Sequence, residues 1–389
     1  MAGKPFNRGE SLKKQIENIA GEIIALRRQL HSAPELGFNE VRTGEIIAGC
    51  LEKLGISVQT GVAKTGVVGL LRGQTTGKTL LIRADMDALP IQERSQHDYA
   101  SQNPGVMHAC GHDVHMAMAL GVAKVLSANK HALKGNVKFV FQPAEEAIGG
   151  ALPMIEQGVM ENPKVDGAVA LHVWDLPLGT VGVKTGSVTA ATDFFDITIT
   201  GKGGHGAKPE LCINPITAAT QLVGKINQIE APQCFVATVC SIKGGEGDNT
   251  VPDTCRVKGT VRTLDMETRQ LVHERITGLA KAVADEIGAA ASIDYRFLYP
   301  PTINHEGMTQ MFEQSARQVL GLDSVIFQEK VDMTGEDFAY FAQLVPACYI
   351  RLGGAGAPLH TDKFDVDEAC IPLGIELMCD FVLRFFNQE

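Results

Sequence analysis

Residues 116–141 read MAMALGVAKVLSANKHALKGNVKFVF, and this stretch decides the fold class of the chain. Small and apolar residues surround nearly the whole of residues 116–126, which predicts a buried helix rather than a surface helix. A short strand, Val137–Phe141, follows that helix and is apolar except at Lys138. Strands that are apolar on both faces and alternate with helices are typical of an α/β fold with a largely parallel sheet.

The same alternation continues on both sides of this stretch. Apolar residues at helical or strand spacing predict helices at 12–29, 41–54, 307–320 and 368–386, and strands at 67–71, 79–82, 167–171 and 347–352. We therefore assign these segments to one α/β domain.

Residues 191–298 follow a different order, which predicts a second and smaller domain. Strands are predicted at 194–200, 234–242, 254–263 and 291–297, and helices at 215–229 and 267–287. The resulting βαββαβ order is that of a ferredoxin-like α+β unit. The predicted organisation is a domain of residues 11–187 and 301–389, interrupted by an inserted domain of residues 188–300.

Composition excludes several classes of protein. The 389 residues are 44% hydrophobic and 21% charged, which argues against a disordered chain. The net charge of −10 makes nucleic acid an unexpected partner. We expect no membrane span, because no apolar run reaches about 20 residues, and no signal peptide, because Met1–Glu10 is polar. An odd count of nine cysteines without a CxxC pair favours a reducing cytoplasm.

The densest group of chemically active residues is Met107–His115, MHACGHDVH, with three histidines, one cysteine and one aspartate. Thiolate and imidazole are the ligands that a zinc-like divalent ion prefers. Cys110 and His112 are two positions apart, so an extended segment presents both on one face. His108 and His115 are assigned either a supporting or a structural role. The alternative interpretation is a polar turn before a buried helix.

Paired carboxylates follow two of the apolar strands. Glu145 and Glu146 come after the strand at 137–141, and one could bind a metal while the other accepts a proton from water. Asp85 and Asp87 follow the strand at 79–82 and could be ligands or could hold a ligand histidine. The alternatives are a solvated acidic helix start for the glutamates and an Asp-stabilised turn for the aspartates.

Two isolated histidines complete the set of candidates. His172 ends the apolar strand 168–171, and His360 lies in PLHT after a glycine-rich loop. A lone histidine is weak evidence, but several apolar strands end in Asp, Glu, His or Cys. Because active sites of open α/β sheets lie at the carboxyl ends of the strands, this recurrence favours one metal site there.

Five motifs in this order resemble the M20 metallopeptidase family, and within it the amidohydrolase subgroup that contains hippurate hydrolase and the auxin-conjugate hydrolases. The motifs are RQLHSAPELGFNE (28–40), RADMDALP (83–90), MHACGHDVH (107–115), FQPAEE (141–146) and PLHTDKF (358–364). The resemblance also includes the strand that ends in His172, and it covers nearly the whole chain, from about residue 19 to 385.

The resemblance implies a site for two divalent metal ions (Zn, Mn, Ni or Co) in the larger, catalytic domain. It implies the metal ligands Cys110, His112, Glu146, His172 and His360, with Cys110 bridging the ions and Glu145 as the general base. Wider relatives carry an HxD motif where this chain has Asp85-Met86-Asp87. We therefore expect Asp85 and Asp87 to contact and orient the metal ligands, and not to bind the ions themselves.

The resemblance identifies the insert as a lid and dimerisation domain. His205 corresponds to a histidine that reaches the partner subunit's site and stabilises the oxyanion, and Asn249 and Arg262 to groups that hold the substrate carboxylate. The implied reaction is hydrolysis of N-acyl amino acids, such as N-acetyl or N-benzoyl amino acids, by a homodimer or higher homo-oligomer. The alternatives are a dipeptidase or aminopeptidase on the same site and a non-enzymatic metal-binding protein.

Overall fold

The computed structural model describes residues 10–387, which form two compact units. The first unit contains residues 10–186, 303–329 and 337–387, and the second contains Ser187–Thr302 and Lys330–Glu336. The sequence-based boundaries placed 330–336 in the larger domain, whereas this segment packs with the insert. Residues 1–9 and 388–389 lie outside the described residues. The prediction of a polar N-terminus without a signal peptide concerns mainly residues 1–9.

The first part of the chain alternates helices with strands of the larger unit. In chain order these are α1 (Glu10–His31), α2 (Val41–Lys53), β1 (Ser57–Val62), β2 (Gly66–Arg72), β3 (Thr79–Asp85), α3 (His112–Ala128), β4 (Asn136–Gln142), α4 (Ala151–Glu156), β5 (Gly167–Trp174) and β6 (Val181–Val183). β7 (Gly186–Thr189) leads the chain into the second unit. The helix α3 is buried nearly all round, as its apolar composition predicts.

The second unit contains a four-stranded antiparallel sheet. Its elements are β8 (Ala191–Thr200), β9 (Gly204–His205), α5 (Pro215–Ile226), β10 (Phe235–Lys243), β11 (Thr250–Val251), β12 (Thr254–Thr263), α6 (Met266–Glu286) and β13 (Ala290–Phe297). The strand order is β10-β12-β8-β13, with β9 and β11 as a separate pair. Strand β12 alternates buried and exposed residues, and its buried face shares a core with the apolar faces of α5 and α6.

The chain then returns to the larger unit and completes its sheet. The last elements are β14 (Thr302–Asn304), α7 (Glu306–Leu320), β15 (Val325–Phe327), α8 (Ala339–Ala342), β16 (Ala347–Gly353) and α9 (Cys370–Phe386). The eight-stranded sheet has the order β1-β2-β4-β3-β5-β16-β6-β15. The predicted α/β fold is confirmed, but the sheet is mixed, because β2 runs antiparallel to β1 and β4 and β6 runs antiparallel to β16.

The centre of this sheet is parallel and buried. Strands β4, β3, β5 and β16 run in one direction, so their carboxyl ends meet at one edge. Every residue of β3 is buried. The loops that leave this edge carry most of the polar side chains singled out in the sequence. None of the helices within residues 10–387 combines the length and apolar character needed to cross a membrane.

Candidate metal centre

The loop that carries Cys110 turns sharply into helix α3. Gly111 between Cys110 and His112 has a φ of 84°, in the left-handed region. A Cβ atom at this position would lie 2.3 Å from Cγ2 of Val173, so conformation and space both require glycine. The turn places Cys110 at the end of the loop and His112 in the first residue of α3.

Two histidines of the centre are anchored through Nδ1. The Nδ1–H of His112 donates to the carbonyl oxygen of Asp87 at 2.8 Å, and that of His172 donates to the carbonyl of Val173 at 2.6 Å. Each contact leaves the Nε2 lone pair available, as in histidines that ligate metals. Nε2 of His112 is buried and has no hydrogen-bond partner in the described part of the chain.

The five side chains predicted as ligands lie close together. Sγ of Cys110 is 3.5 Å from Nε2 of His172 and 3.3 Å from Nε2 of His360. Oε1 of Glu146 is 2.9 Å from Nε2 of His360 and 3.9 Å from Nε2 of His112. A thiol, three imidazoles and a carboxylate around a buried unpartnered nitrogen fit a divalent transition-metal ion. These residues would hold the ions.

The protonation of the centre is shaped by burial and by its own charges. Burial raises the pKa of the Cys110 thiol well above its ordinary value, and the carboxylates of Glu146 and Glu145 raise it further. Burial lowers the pKa of His112, but Asp85 and Asp87 outweigh that effect and raise it to about 10. A bound cation favours the thiolate and the neutral imidazole, because these are the forms that ligate.

Asp85 and Asp87 contact the residues around the centre through hydrogen bonds. Oδ2 of Asp87 accepts the backbone N–H of Glu146 at 2.9 Å. Oδ1 of Asp85 accepts from Nδ1 of His115 at 2.6 Å, while Nε2 of His115 accepts the N–H of Val173 at 2.9 Å. Both ring nitrogens of His115 are therefore occupied, and its contacts support the strand end that carries His172.

His108 lies apart from these contacts. Its ring is buried 6.3 Å from that of His31, centroid to centroid, and neither ring nitrogen has a hydrogen-bond partner within residues 10–387. Burial lowers the pKa of His108 to about 3. Its surroundings suit a neutral ring packed in the interior.

Sequence reasoning missed a buried ionic network beneath the centre. The guanidinium of Arg83 lies 3.0 Å from Oδ1 of Asp337 and also donates to Asp85. Nε2 of Gln142 donates to both carboxylate oxygens of Asp337 at 2.8 Å. Burial raises the pKa of Asp85, but Arg83 reverses this and holds it well below its usual range. Asp337 ends no apolar strand, so nothing in the local pattern marked it.

A second network missed from the sequence joins helix α1 to helix α3. The Nε–H of Arg27 donates to Oδ2 of Asp113 at 2.7 Å, and Nδ1 of His31 lies 2.8 Å from the same oxygen. The other ring nitrogen of His31 is 3.2 Å from Oε1 of Glu93. All four residues are largely buried, and Asp113 directly follows His112. The network therefore anchors the helix start that carries a candidate ligand.

Three predicted site residues belong to the second unit. His205 is exposed on β9, where its Nδ1 accepts the N–H of Ala207 at 3.1 Å. Asn249 is adjacent in space, since its carbonyl oxygen accepts the N–H of Gly206 at 2.7 Å. Because Nδ1 is the acceptor, Nε2 of His205 carries the proton and can donate a hydrogen bond.

Arg262, the third of these residues, carries a half-buried charge on strand β12. Its guanidinium lies 5.9 Å from the centre of the Phe194 ring and donates to the hydroxyl of Thr260 and to the carbonyl of Val261. No ion pair to Arg262 occurs among residues 10–387. Burial lowers its pKa. Such a guanidinium is suited to a carboxylate supplied from outside the chain.

Comparison with known proteins finds relatives that match most of this chain. The sequence model for peptidase family M20/M25/M40 matches residues 81–384. Thermostable carboxypeptidase 2 of Saccharolobus solfataricus is 37% identical over 97% of this chain and 99% of its own. N-acetyl-L-cysteine deacetylase of Bacillus subtilis is 36% identical over 93% of this chain and 88% of its own.

A solved structure extends the likeness to the fold. The YXEP protein of Bacillus subtilis, described as a dinuclear metal-binding peptidase, has a TM-score of 0.86 to this chain. It is 33% identical, over 96% of this chain and 100% of that structure. The sequence and fold comparisons therefore agree over more than nine-tenths of the chain.

Proposed function

The chain belongs to peptidase family M20/M25/M40, and from this premise we propose that it hydrolyses the amide bond of N-acyl amino acids. It is a metal-dependent amidohydrolase of that family, so the resemblance and the enzyme class predicted from the sequence are confirmed. The observation that carries the proposal is the cluster of five donor side chains with a further carboxylate, Glu145, at its edge.

We assign Glu145 the transfer of protons. When bound, two divalent ions supply positive charge that makes water acidic enough to react near neutral pH and that polarises the amide carbonyl. Glu145 accepts a proton from the attacking water, whose oxygen forms a bond to the amide carbon. When the C–N bond breaks, the same carboxyl group returns a proton to the leaving nitrogen. The products are a carboxylate and a free amino acid.

The remaining predicted residues are proposed to bind and orient the substrate. Arg262 and Asn249 bind the α-carboxylate, since a guanidinium donates two parallel hydrogen bonds to a carboxylate. The Nε2–H of His205 donates to the oxygen on which negative charge develops. We propose that His205 acts in the partner subunit of a homodimer or higher homo-oligomer. The carboxylate-binding groups favour substrates with a free carboxyl group.

The relatives support two substrate classes for such a site. One relative bears the name of a deacetylase and another that of a carboxypeptidase. A dipeptidase or aminopeptidase must bind a charged substrate amine, which calls for an acidic partner. An N-acyl group is neutral and needs none. We rank N-acyl amino acids first, N-acetyl and N-benzoyl compounds included, because a free carboxylate is the one charge that the proposed groups recognise.

The identity of the ions and the compartment are also proposals. The donor set suits Zn, Mn, Ni or Co, and metal availability often decides among them. The nine cysteines are free thiols, with Cys110 in the metal centre. A reducing compartment keeps such thiols available, so we propose the cytoplasm as the location.

The decisive experiment is a substrate panel on metal-reconstituted protein. N-acetyl amino acids, N-benzoyl amino acids, dipeptides and amino-acid amides are compared by kcat/KM with each of the four metals. Hydrolysis of the acylated amino acids with little action on the others supports the proposal. Preference for dipeptides establishes the peptidase alternative, and failure to bind any divalent ion favours a non-enzymatic protein.

Substitution of Glu145 tests the same proposal within the active protein. Glu145→Gln should reduce kcat at least about 10²-fold while two ions remain bound, because an amide cannot accept the proton. Glu156→Gln is the matched control, since Glu156 is an exposed glutamate on α4. Substantial activity of Glu145→Gln would refute the assignment of the base.

A further inference from the structure

The turn that presents Glu145 has an unfavourable backbone conformation. It follows strand β4, and its residue Ala144 has a φ of 57°, in a left-handed region that residues with a Cβ rarely adopt. Ala144 is completely buried and directly precedes Glu145. Such a conformation persists only where surrounding contacts hold it. The contacts of Ala144 therefore control the direction of the next side chain.

Two buried carboxylates hold this turn, one on each side of Glu145. Oε1 of Glu40 accepts the backbone N–H of Ala144 at 2.9 Å. Oδ2 of Asp87 accepts the N–H of Glu146 at 2.9 Å. The second oxygen of Glu40 accepts the hydroxyl of Thr65 at 2.6 Å. The backbone N–H groups of the residues before and after Glu145 are thus held by carboxylates from other segments.

Glu40 is at the N-cap position of helix α2, but its side chain does not cap the helix. That task falls to Glu35, which accepts the N–H of Thr43 at 2.8 Å and its hydroxyl at 2.9 Å. Glu40 is fully buried and directed at the turn instead. Burial of a carboxylate is costly unless it is hydrogen-bonded, and the two hydrogen bonds of Glu40 offset that cost.

The segment before Glu40 also packs directly on the turn. A Cβ atom at Gly37 would lie 3.0 Å from Cα and from Cβ of Ala144. The segment 35–40 therefore contacts the turn both through the backbone at Gly37 and through the side chain of Glu40.

We propose that Glu40 is a positioning residue that aims the carboxylate of Glu145 by holding the N–H of Ala144. The inference rests on the proposed role of Glu145 as general base. It assigns a task in the reaction to the motif PELGFNE, of which the metal centre makes no direct use.

Two substitutions test separately the hydrogen bond from Ala144 to Glu40 and the negative charge of Glu40. Glu40→Gln keeps the reach, because its amide oxygen can accept from Ala144 and its NH₂ can donate to Thr65. Glu40→Asp keeps the charge but is one methylene shorter. We expect Glu40→Asp to lower kcat about 10- to 100-fold with metal content and KM nearly unchanged. Glu40→Gln should retain kcat within about threefold, because the contact to Ala144 is preserved.

Glu35→Ala is the matched control. Glu35 is a carboxylate of the same segment, and the side-chain hydrogen bonds of Glu35 all go to residues of α2. Glu35→Ala should lower the Tm but leave kcat unchanged. Hydrogen exchange of residues 143–148, followed by mass spectrometry, gives a readout independent of activity. Exchange there should accelerate in Glu40→Asp and stay at the wild-type rate in Glu40→Gln and Glu35→Ala.

Three results overturn the inference. The first is that Glu40→Asp keeps the kcat and the exchange rate of the wild type. The second is that Glu40→Gln loses as much kcat as Glu40→Asp. The third is that kcat and Tm fall in parallel in all three variants. If the wild-type protein hydrolyses no amide at all, the proposed function fails instead, and the exchange rates still decide whether Glu40 holds the turn. The two failures are therefore distinguishable.

Discussion

Nε2 of His360 lies 2.9 Å from Oε1 of Glu146, although the two residues come from loops more than 200 positions apart in the chain. His360 has a φ of 61°, and half of its side chain is exposed. Its loop thus brings a half-exposed imidazole to the buried Cys110 and to Glu146, which is only partly exposed. With Cys110, these side chains form a triplet whose donor atoms lie within 4.8 Å of one another.

Removal of His360 should therefore cost one ion. His360→Ala is expected to bind about one divalent ion per chain instead of about two, because Cys110 and Glu146 alone form an incomplete site. Metal content is measured by mass spectrometry after dialysis. His131→Ala is the control, since His131 is an exposed imidazole between α3 and β4. Two tightly bound ions in His360→Ala would exclude His360 as a ligand.

Arg262 offers a test of carboxylate recognition. We expect Arg262→Ala to raise KM for an N-acetyl amino acid about 10- to 100-fold, because a charge-assisted pair to the substrate is lost. KM for the corresponding amide, which lacks the carboxylate, should hardly change. Arg256→Ala is the matched control on the same strand, since Arg256 is already paired with Asp196 at 2.6 Å. An equal rise in KM for both substrates would contradict the assignment.

The meeting of Cys110 and His112 in one loop was predictable because the pattern that joins them is local. Cys110 and His112 are two residues apart, and the turn between them depends on one glycine. The carboxyl ends of apolar strands likewise placed Glu146 and His172 at one sheet edge, because parallel strands end together. In these cases, short-range pattern and sheet geometry were sufficient to bring the residues together.

The supporting contacts were not predictable, because they join distant segments. Arg83 and Asp337 are 254 positions apart, and no periodicity relates them. The direction of β2 was also missed. It depends on a turn in which Ala63 and Lys64 both have positive φ, with 49° and 78°, and neither is a residue that marks such turns. Sequence patterns report which face is buried, but not which remote partner fills it.

The buried pair of His31 and Asp113 should make stability depend on pH. Burial lowers the pKa of His31, but Asp113 and Glu93 outweigh this and raise it to about 9. The folded pKa thus exceeds the unfolded value of about 6.5. The stabilisation of the fold by protonated His31 is fully present below about pH 6.5 and is lost as pH rises through about 9. One pKa unit equals about 1.4 kcal/mol, so up to about 3 kcal/mol is at stake.

Urea unfolding of wild type and His31→Gln at about pH 6 and about pH 9.5 measures this effect. The difference in the free energy of unfolding between the two proteins should shrink at the higher pH. His131→Gln, which removes an exposed imidazole, should follow the wild type at both pH values. A difference that is the same at both values would show that the charge on His31 does not stabilise the fold.

The proposed action of His205 across subunits predicts complementation between two inactive variants. Glu145→Gln lacks the base and His205→Ala lacks the oxyanion donor, so each alone should be nearly inactive. In a mixed dimer, the His205→Ala chain keeps Glu145 and receives His205 from the other chain. Random pairing makes about half of the dimers mixed, each with one complete site, so about a quarter of the wild-type activity should return. Co-expression with two affinity tags isolates the mixed dimer for assay. If that fraction recovers no activity, or if size-exclusion chromatography shows a fully active monomer, His205 does not act in the site of the partner subunit.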